Sequence, residues 1–249
     1  MLIPLLVAGS AFAAVGVGCR ATFAARSQIF GPLLFRGPRD HPPRVALTFD
    51  DGPHHSATPG ILDVLRDHGP VATFFVVGRH VADHSELLRR MHHEGHAIAN
   101  HSMDHSFGGL FHGDRYWIDQ INRTDDIIEG ILGVRTAMFR PPMGFKTFHV
   151  TRAARKTGHV MVTWTRRGRD GVITSARQIV YRLANATEPG DIVLLHDGMI
   201  PGLRRDPLAP VDPIVALIEV WRNRRLALVR LDELLGINAY KPTKRTTPS

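Results

Sequence analysis

From Arg44 onward the chain alternates short, largely apolar runs with longer stretches in which apolar residues recur every three to four positions. The short runs have strand length: Arg44–Thr48, Ala72–Val77, Ala97–Ala99, Thr136–Phe139, His159–Thr163, Ile192–Leu195 and Ala227–Val229. The longer stretches have helical period and predict helices over about 58–68, 83–94, 115–131, 147–156, 175–186 and 212–223. Thr58 followed by Pro59 predicts an N-cap with a first-turn proline, and Gly69 with Pro70 predicts that helix's end. Ser175 with Gln178 has the spacing of a capping box. Seven β–α alternations without hairpin signals predict parallel strands wrapped by helices, as a barrel or an open sheet. Residues 27–43, rich in Gly and Pro, read as part of a linker over 20–43, and residues 240–249 as a polar, basic tail.

The 249 residues suffice for one large domain, here 44–239, and 43% apolar with 22% charged residues is ordinary globular composition. A net charge of +8 favours anionic partners, although most of the arginines read as solvated surface. No zinc knuckle and no basic helix interleaved with aromatics is present, so no nucleic-acid partner is expected. Cys19 is the only cysteine, which rules out an internal disulfide. The first nineteen residues carry no charged side chain and approach the roughly 20 apolar residues that span a bilayer. An uncleaved anchor is the first expectation, a signal peptide the second and a buried helix the third. Arg20 and Arg26 behind the run would hold the domain in the cytoplasm under the positive-inside rule.

Unusual residues gather just after the predicted strands, the end of a β/α barrel where active sites form. After the first comes Thr48-Phe49-Asp50-Asp51-Gly52-Pro53. Adjacent side chains leave an extended backbone in opposite directions, so one carboxylate can bind a metal while the other faces substrate as a base. After the third comes Asn100-His101-Ser102-Met103-Asp104-His105, and histidines four apart on a helical turn can share one metal. His80/His84 and His92/His96 repeat that spacing and read as exposed helix residues outside any site. In Arg140-Pro141-Pro142-Met143-Gly144 the prolines fix a loop that can aim the Met143 and Gly144 amides inward, and Arg140 can pair with a catalytic carboxylate. Asp170 lies in an arginine-rich loop with Arg166, Arg167 and Arg169. His196 ends an apolar strand and is a candidate general acid.

These five segments, in this order, resemble the motifs of the polysaccharide deacetylase family, carbohydrate esterase family four with its NodB homology domain. The resemblance covers about Arg44 to Leu235 and implies a distorted (β/α) barrel of about seven parallel strands. It implies that Asp50 is the general base, that Asp51, His101 and His105 bind the metal, and that Arg140 tethers Asp50. It further implies that the Met143 amide serves the oxyanion hole, that Leu194 lines the acetyl pocket, and that Asp170 orients His196, the general acid. The implied cofactor is a divalent ion, zinc first, with cobalt, nickel or manganese as alternatives. The implied partner is an N-acetylated glycan, chitin-like or peptidoglycan, with anionic glycans favoured by the charge, acted on in the cell envelope by an anchored or secreted protein. Met143 and Gly171 depart from the family pattern, which has a tyrosine and an aromatic there; the second leaves one wall of the substrate groove open. Rival readings are a deformylase or deacetylase of a lipid-linked sugar, an O-acetyl-xylan esterase, and a sugar-binding pseudoenzyme.

Overall fold

The computed structural model describes residues 16, 18–172, 175–198 and 211–242. Every strand of the main sheet but Arg166–Arg167 owes its place to an apolar run. β1 (Arg44–Asp50), β2 (Thr73–Val76), β3 (Ala97–Asn100), β4 (Met138–Phe139), β5 (Val160–Met161), β6 (Arg166–Arg167) and β7 (Ile192–His196) form one sheet in the order β5-β4-β3-β2-β1-β7-β6. Every pairing is parallel, and β8 (Ala227–Leu228) adds a short parallel pair at the start of β1. The sheet curls into a distorted half-barrel, as the alternation and the resemblance imply.

Period-two alternation along β1 sends Val45, Leu47 and Phe49 outward, against α1 (Ala57–His68) and α7 (Val211–Asn223). Ala46 joins an inner cluster with Phe75, Ala99 and Leu194. The same alternation puts Asp50 on the inner face at the end of β1, which is how a buried strand delivers a carboxylate to the barrel mouth.

Two sequence expectations change along the sheet. Arg166–Arg167, expected as loop, is a strand whose register partners are Val193 and Leu194. Two arginines carry no apolar signal; the pairing comes from the open edge of β7. No helix joins β5 to β6, and residues 27–43, expected as a linker, lie in that opening. Leu34 pairs with Val162, the Gly37 amide donates to the Gly190 carbonyl at 2.8 Å, and Leu33 is buried. Gly and Pro there mark a strap with few regular bonds rather than a free segment.

The helix expected over 83–94 is α3 (Ser85–His93); a short helix the sequence reading lacks, α2 (Gly78–Asp83), precedes it and is separated from it at His84. α4 (Asp114–Leu132) and α5 (Phe148–Lys156) match their predicted spans closely, with the Thr147 hydroxyl capping α5. α6 (Ala176–Leu183) follows Ser175, whose side chain makes no cap bond, so the capping box does not form. α8 (Leu231–Leu235) is too short to leave a periodic signal. No helix among the described residues is long and apolar enough to cross a membrane. Apart from residues 16, 18 and 19, the expected apolar segment 1–19 lies outside the described residues, as does most of the tail 240–249.

His96 is a further correction. It is 3% exposed rather than a surface helix residue, and its Nδ1 accepts the Ala72 amide at 3.2 Å. Burial pushes its imidazole down to about 4, from an unfolded value near 6.5. A depressed folded value means the unfolded chain binds the extra proton first. Stability from the neutral ring is therefore present above pH 6.5 and lost as pH falls from there through 4, about 3 kcal/mol in all. Urea midpoints measured from pH 7 to pH 4 should fall in the wild type and fall less in His96→Asn, which keeps an acceptor but cannot titrate. Parallel pH profiles would remove His96 from this role.

Candidate active site

The barrel mouth is assembled from the residues that follow β1, β3, β4, β6 and β7. Asp50 is the last residue of β1, and its register partner on β7 is His196, so the two stand side by side on neighbouring strands. Asp51 then turns the chain in the left-handed region, at φ 75°. That turn overturns the expectation of carboxylates pointing in opposite directions. Asp50 Oδ2 lies 3.8 Å and Asp51 Oδ1 3.3 Å from the same atom, His101 Nε2. Close packing holds the turn in place: a Cβ on Gly198 would stand 2.1 Å from the Asp51 carbonyl oxygen, and one on Gly52 would stand 2.0 Å from Asp197 Oδ2. No other residue fits at either position without moving the turn.

His101 and His105 converge, but through a loop rather than a helical turn. Ser102 (φ 72°) and His105 (φ 49°) are left-handed, each at a cost of about 1–2 kcal/mol. Side chains from below offset that cost. Asn100 Oδ1 accepts the Ser102 amide at 2.9 Å, and Gln120 Oε1 accepts those of Met103 and Asp104 at 3.0 and 3.1 Å. His101 Nδ1 donates to the Arg140 carbonyl at 2.7 Å, which turns Nε2 toward Asp51.

The donor set fits a cation. Asp51, His101 and His105 offer one ligand atom each within 4.8 Å of one another, and His80, His84, His92 and His96 are not in the group. Both Asp51 carboxylate oxygens are buried without a hydrogen-bond partner, and His105 Nε2 faces Oδ1 at 3.2 Å. Burial pushes the Asp51 carboxyl up, but the imidazoles of His101, His105 and His196 outweigh it and hold it well below the usual carboxylate range. Burial pushes His105 down to about 4, leaving the neutral ring that metal binding requires. For His101 burial works downward, yet Asp50 and Asp51 outweigh it; the charges that draw a proton to its Nε2 draw a metal ion equally well.

Arg140 is fully buried, with every donor group engaged. Nη1 reaches Asp50 Oδ1 at 2.6 Å and Thr48 Oγ1 at 2.9 Å, Nη2 reaches the Thr163 carbonyl, and the guanidinium lies 3.9 Å over the Phe75 ring. Asp50 therefore has Oδ1 tethered. Met143 sits at φ 54°, and its amide makes no hydrogen bond among the described residues. The Gly144 amide, expected to point inward with it, donates instead to the Pro141 carbonyl at 2.9 Å. Leu194 is 3% exposed at the inner face. Asp170 grips His196 twice, at the backbone amide (2.7 Å) and at Nδ1 (3.0 Å). Burial alone would lower the His196 imidazole, but Asp170 outweighs it and raises it to about 9.

Residues 37–162 match the polysaccharide deacetylase family model. The chain belongs to that family. The matched span holds Asp50, Asp51, His101, His105, Arg140 and Met143, while Asp170, Leu194 and His196 lie beyond it. Curated relatives reach further. The chain is 39% identical over 168 residues to a chitooligosaccharide deacetylase of Bradyrhizobium sp. (strain ANU 289), covering 65% of this chain and 74% of that protein. It is 34% identical over 198 residues to a peptidoglycan-N-acetylglucosamine deacetylase of Bacillus cereus, covering 77% and 87%. Among solved structures it superposes on the Bc1960 peptidoglycan N-acetylglucosamine deacetylase with a TM-score of 0.76 at 28% identity, over 84% of this chain and 95% of that one. Peptidoglycan deacetylase PdaC from Bacillus subtilis gives 0.68 at 31% identity, over 77% and 89%.

Two residues of the polysaccharide deacetylase site carried no role in the sequence reading. Asp197, buried, accepts from the Gly52 amide at 3.2 Å and the Thr58 hydroxyl at 2.8 Å, clamping the turn that carries Asp51 to α1. Burial first, with the nearby negative charge of Asp51 adding to it, raises its carboxyl to about 7. Thr58 looked like an N-cap because its hydroxyl needs a partner; that partner is Asp197, and Ser56 holds the cap position. His80 Nδ1 donates to the Asp51 carbonyl at 2.8 Å, so it fixes a ligand's backbone without joining the ligand group. An HxxxH repeat could not distinguish those functions.

Proposed function

We propose that this deacetylase hydrolyses N-acetyl groups of an amino-sugar polymer, chitin-like or peptidoglycan, in the cell envelope. The observation that carries the reading is the pairing of Asp50 and His196 on adjacent strands beside the Asp51–His101–His105 group. Asp51, His101 and His105 would hold a divalent ion, zinc being the first candidate. The chemistry such an ion supplies when bound is Lewis acidity, polarising the acetyl carbonyl and acidifying water. Asp50, tethered through Oδ1, accepts the proton of the attacking water. The Met143 amide donates to the developing oxyanion, and Leu194 packs on the acetyl methyl. His196, held at Nδ1 by Asp170, gives its Nε2 proton to the departing sugar amine as the C–N bond breaks. Acetate release should be measured on chitin oligomers, peptidoglycan, acetyl-xylan and a lipid-linked amino sugar. Release from the first two supports the reading; release confined to acetyl-xylan assigns an O-esterase, and release confined to the lipid-linked sugar assigns the rival deacetylase.

An anionic glycan suits the rim. Arg166 is engaged by Asp191 at 2.9 Å and drops out of the expected cluster. Arg167, exposed on the strand face it shares with Leu194, and Arg169 beside Asp170 form no ion pair among the described residues. The rate on peptidoglycan fragments relative to neutral chitin oligomers should decline as salt shortens the Debye length from about 10 Å at 0.1 M to about 3 Å at 1 M. Arg167→Gln should reduce that ratio at low salt. A ratio indifferent to both salt and Arg167 would show that the arginines do not select substrate.

A further inference from the structure

The chain's net positive charge lies in two stretches of its sequence. Residues 1–39 and 141–187 hold thirteen arginines and lysines but one carboxylate, Asp170, while the rest of the chain holds eighteen against twenty-two. These two stretches pack against each other. The Lys146 amide donates to the Thr22 carbonyl, Thr163 Oγ1 donates to the Ala25 carbonyl at 2.6 Å, and the rings of Phe30 and Phe148 meet edge to face at 4.9 Å. Carboxylates from outside neutralise part of their charge: Asp114 pairs with His149, Arg152 and Lys156, while Asp191 and Glu188 pair with Arg36, Arg39 and Arg166. Arg20, Arg26 and Arg155 are exposed and form no ion pair among the described residues.

Apolar side chains are exposed on the same stretches. Phe23, Ile29 and Phe148 are 51%, 62% and 59% open to solvent, beside a groove of about 820 Å³ between the strap and α5. Single exposed apolar residues are ordinary, but a cluster rimmed by charge marks an interaction surface. An acidic polymer would engage the arginines and leave the phenylalanines and isoleucine in water. An anionic lipid surface satisfies both, with apolar side chains in the headgroup–acyl boundary and guanidinium groups on lipid phosphates. The uncharged first nineteen residues lead straight into Arg20 and Phe23.

We infer that the strap and α5 form a docking face for an anionic membrane surface. Because Thr22, Ala25 and Arg26 lie against Lys146, Thr163 and Thr165 near the strand ends, docking sets the barrel mouth beside the lipid. The face acts through lateral contact and is independent of whatever residues 1–19 do.

Hydrogen exchange of the full chain tests the face directly, with vesicles of phosphatidylcholine alone and with about one-third phosphatidylglycerol. Exchange over 20–36 and 148–156 should slow with the anionic vesicles and not with the neutral ones, leaving α1 unchanged. Each arginine near an anionic surface contributes enough that Arg26→Gln with Arg155→Gln should weaken vesicle binding on the order of 30-fold. Ile29→Ser with Phe148→Ser should weaken it too, with deacetylation of a soluble oligosaccharide by the folded protein unchanged. Protection absent from these segments, or equal with neutral vesicles, overturns the inference even if the chain sediments with lipid. Loss on arginine replacement with no loss on Ile29 and Phe148 replacement assigns the face to an acidic polymer instead.

Discussion

Asp50→Asn is expected to retain the metal and to lose about 10²–10⁴-fold in turnover on amide and ester substrates alike, the usual contribution of a positioned base. Both reactions need a proton taken from water, and an asparagine amide cannot accept it. Asp51, His101 and His105 are untouched by the change, so metal content should stay at the wild-type level. Stability should fall as well. The substitution leaves Arg140 buried with its positive charge uncompensated, and breaking a buried pair costs about 3–5 kcal/mol when one partner is removed outright. Asn keeps an oxygen able to accept from Arg140 Nη1, so the loss should be smaller than for Asp50→Ala. Turnover is therefore compared only after folding and metal content are matched. An Asp50→Asn protein with matched metal and near wild-type turnover would take the base role away from Asp50.

His196→Ala should separate the two substrate types. An amine is a poor leaving group as an anion, so N-deacetylation should fall about 10²–10⁴-fold, whereas an activated ester, whose alcohol leaves without a proton, should lose markedly less. The pH profile carries the same information. The imidazolium is the form that donates, and the carboxylate of Asp170 raises it to about 9 against the effect of burial. The acid is thus present below that value and lost as pH rises through it. A divalent cation at Asp51 repels the imidazolium, so the alkaline limb of kcat should lie at or below about pH 9. The limb should vanish from the residual activity of His196→Ala. Asp170→Asn should move it to lower pH by removing the charge that favours the proton. Equal losses on amide and ester, or an alkaline limb that survives His196→Ala, would assign the proton to another group.

The strands that carry the site were legible because burial on both faces writes a continuous apolar run: Arg44–Thr48 and Ile192–Leu195 could be little else. β6 was illegible because two arginines at an open sheet edge are held by backbone pairing, which leaves no mark on side-chain pattern. The strap failed for the opposite reason: Gly and Pro density reports the lack of regular structure, and that is compatible with a segment packed into the barrel opening. Within the site, the identities of Asp51, His101 and His105 could be read from motif spacing, but the geometry behind the spacing could not. A left-handed Asp51 and left-handed Ser102 and His105 bring the ligand atoms together, where extended and helical backbone were expected. Those conformations depend on Asn100 within the motif and on Gln120, Asp197 and Gly198, whose contacts join residues distant in the chain that a local motif does not encode.

Acetate release from N-acetylglucosamine oligomers or peptidoglycan, measured with metal content on the same samples, tests the central claim most directly. The wild-type chain should carry about one divalent ion, lose both the ion and acetate release on chelation, and regain both when zinc is returned. Asp51→Ala and His105→Ala should fail to bind the ion at concentrations that saturate the wild type, and should not recover. Acetate release that persists undiminished in the chelated protein, or in the ligand variants without metal, would contradict the account.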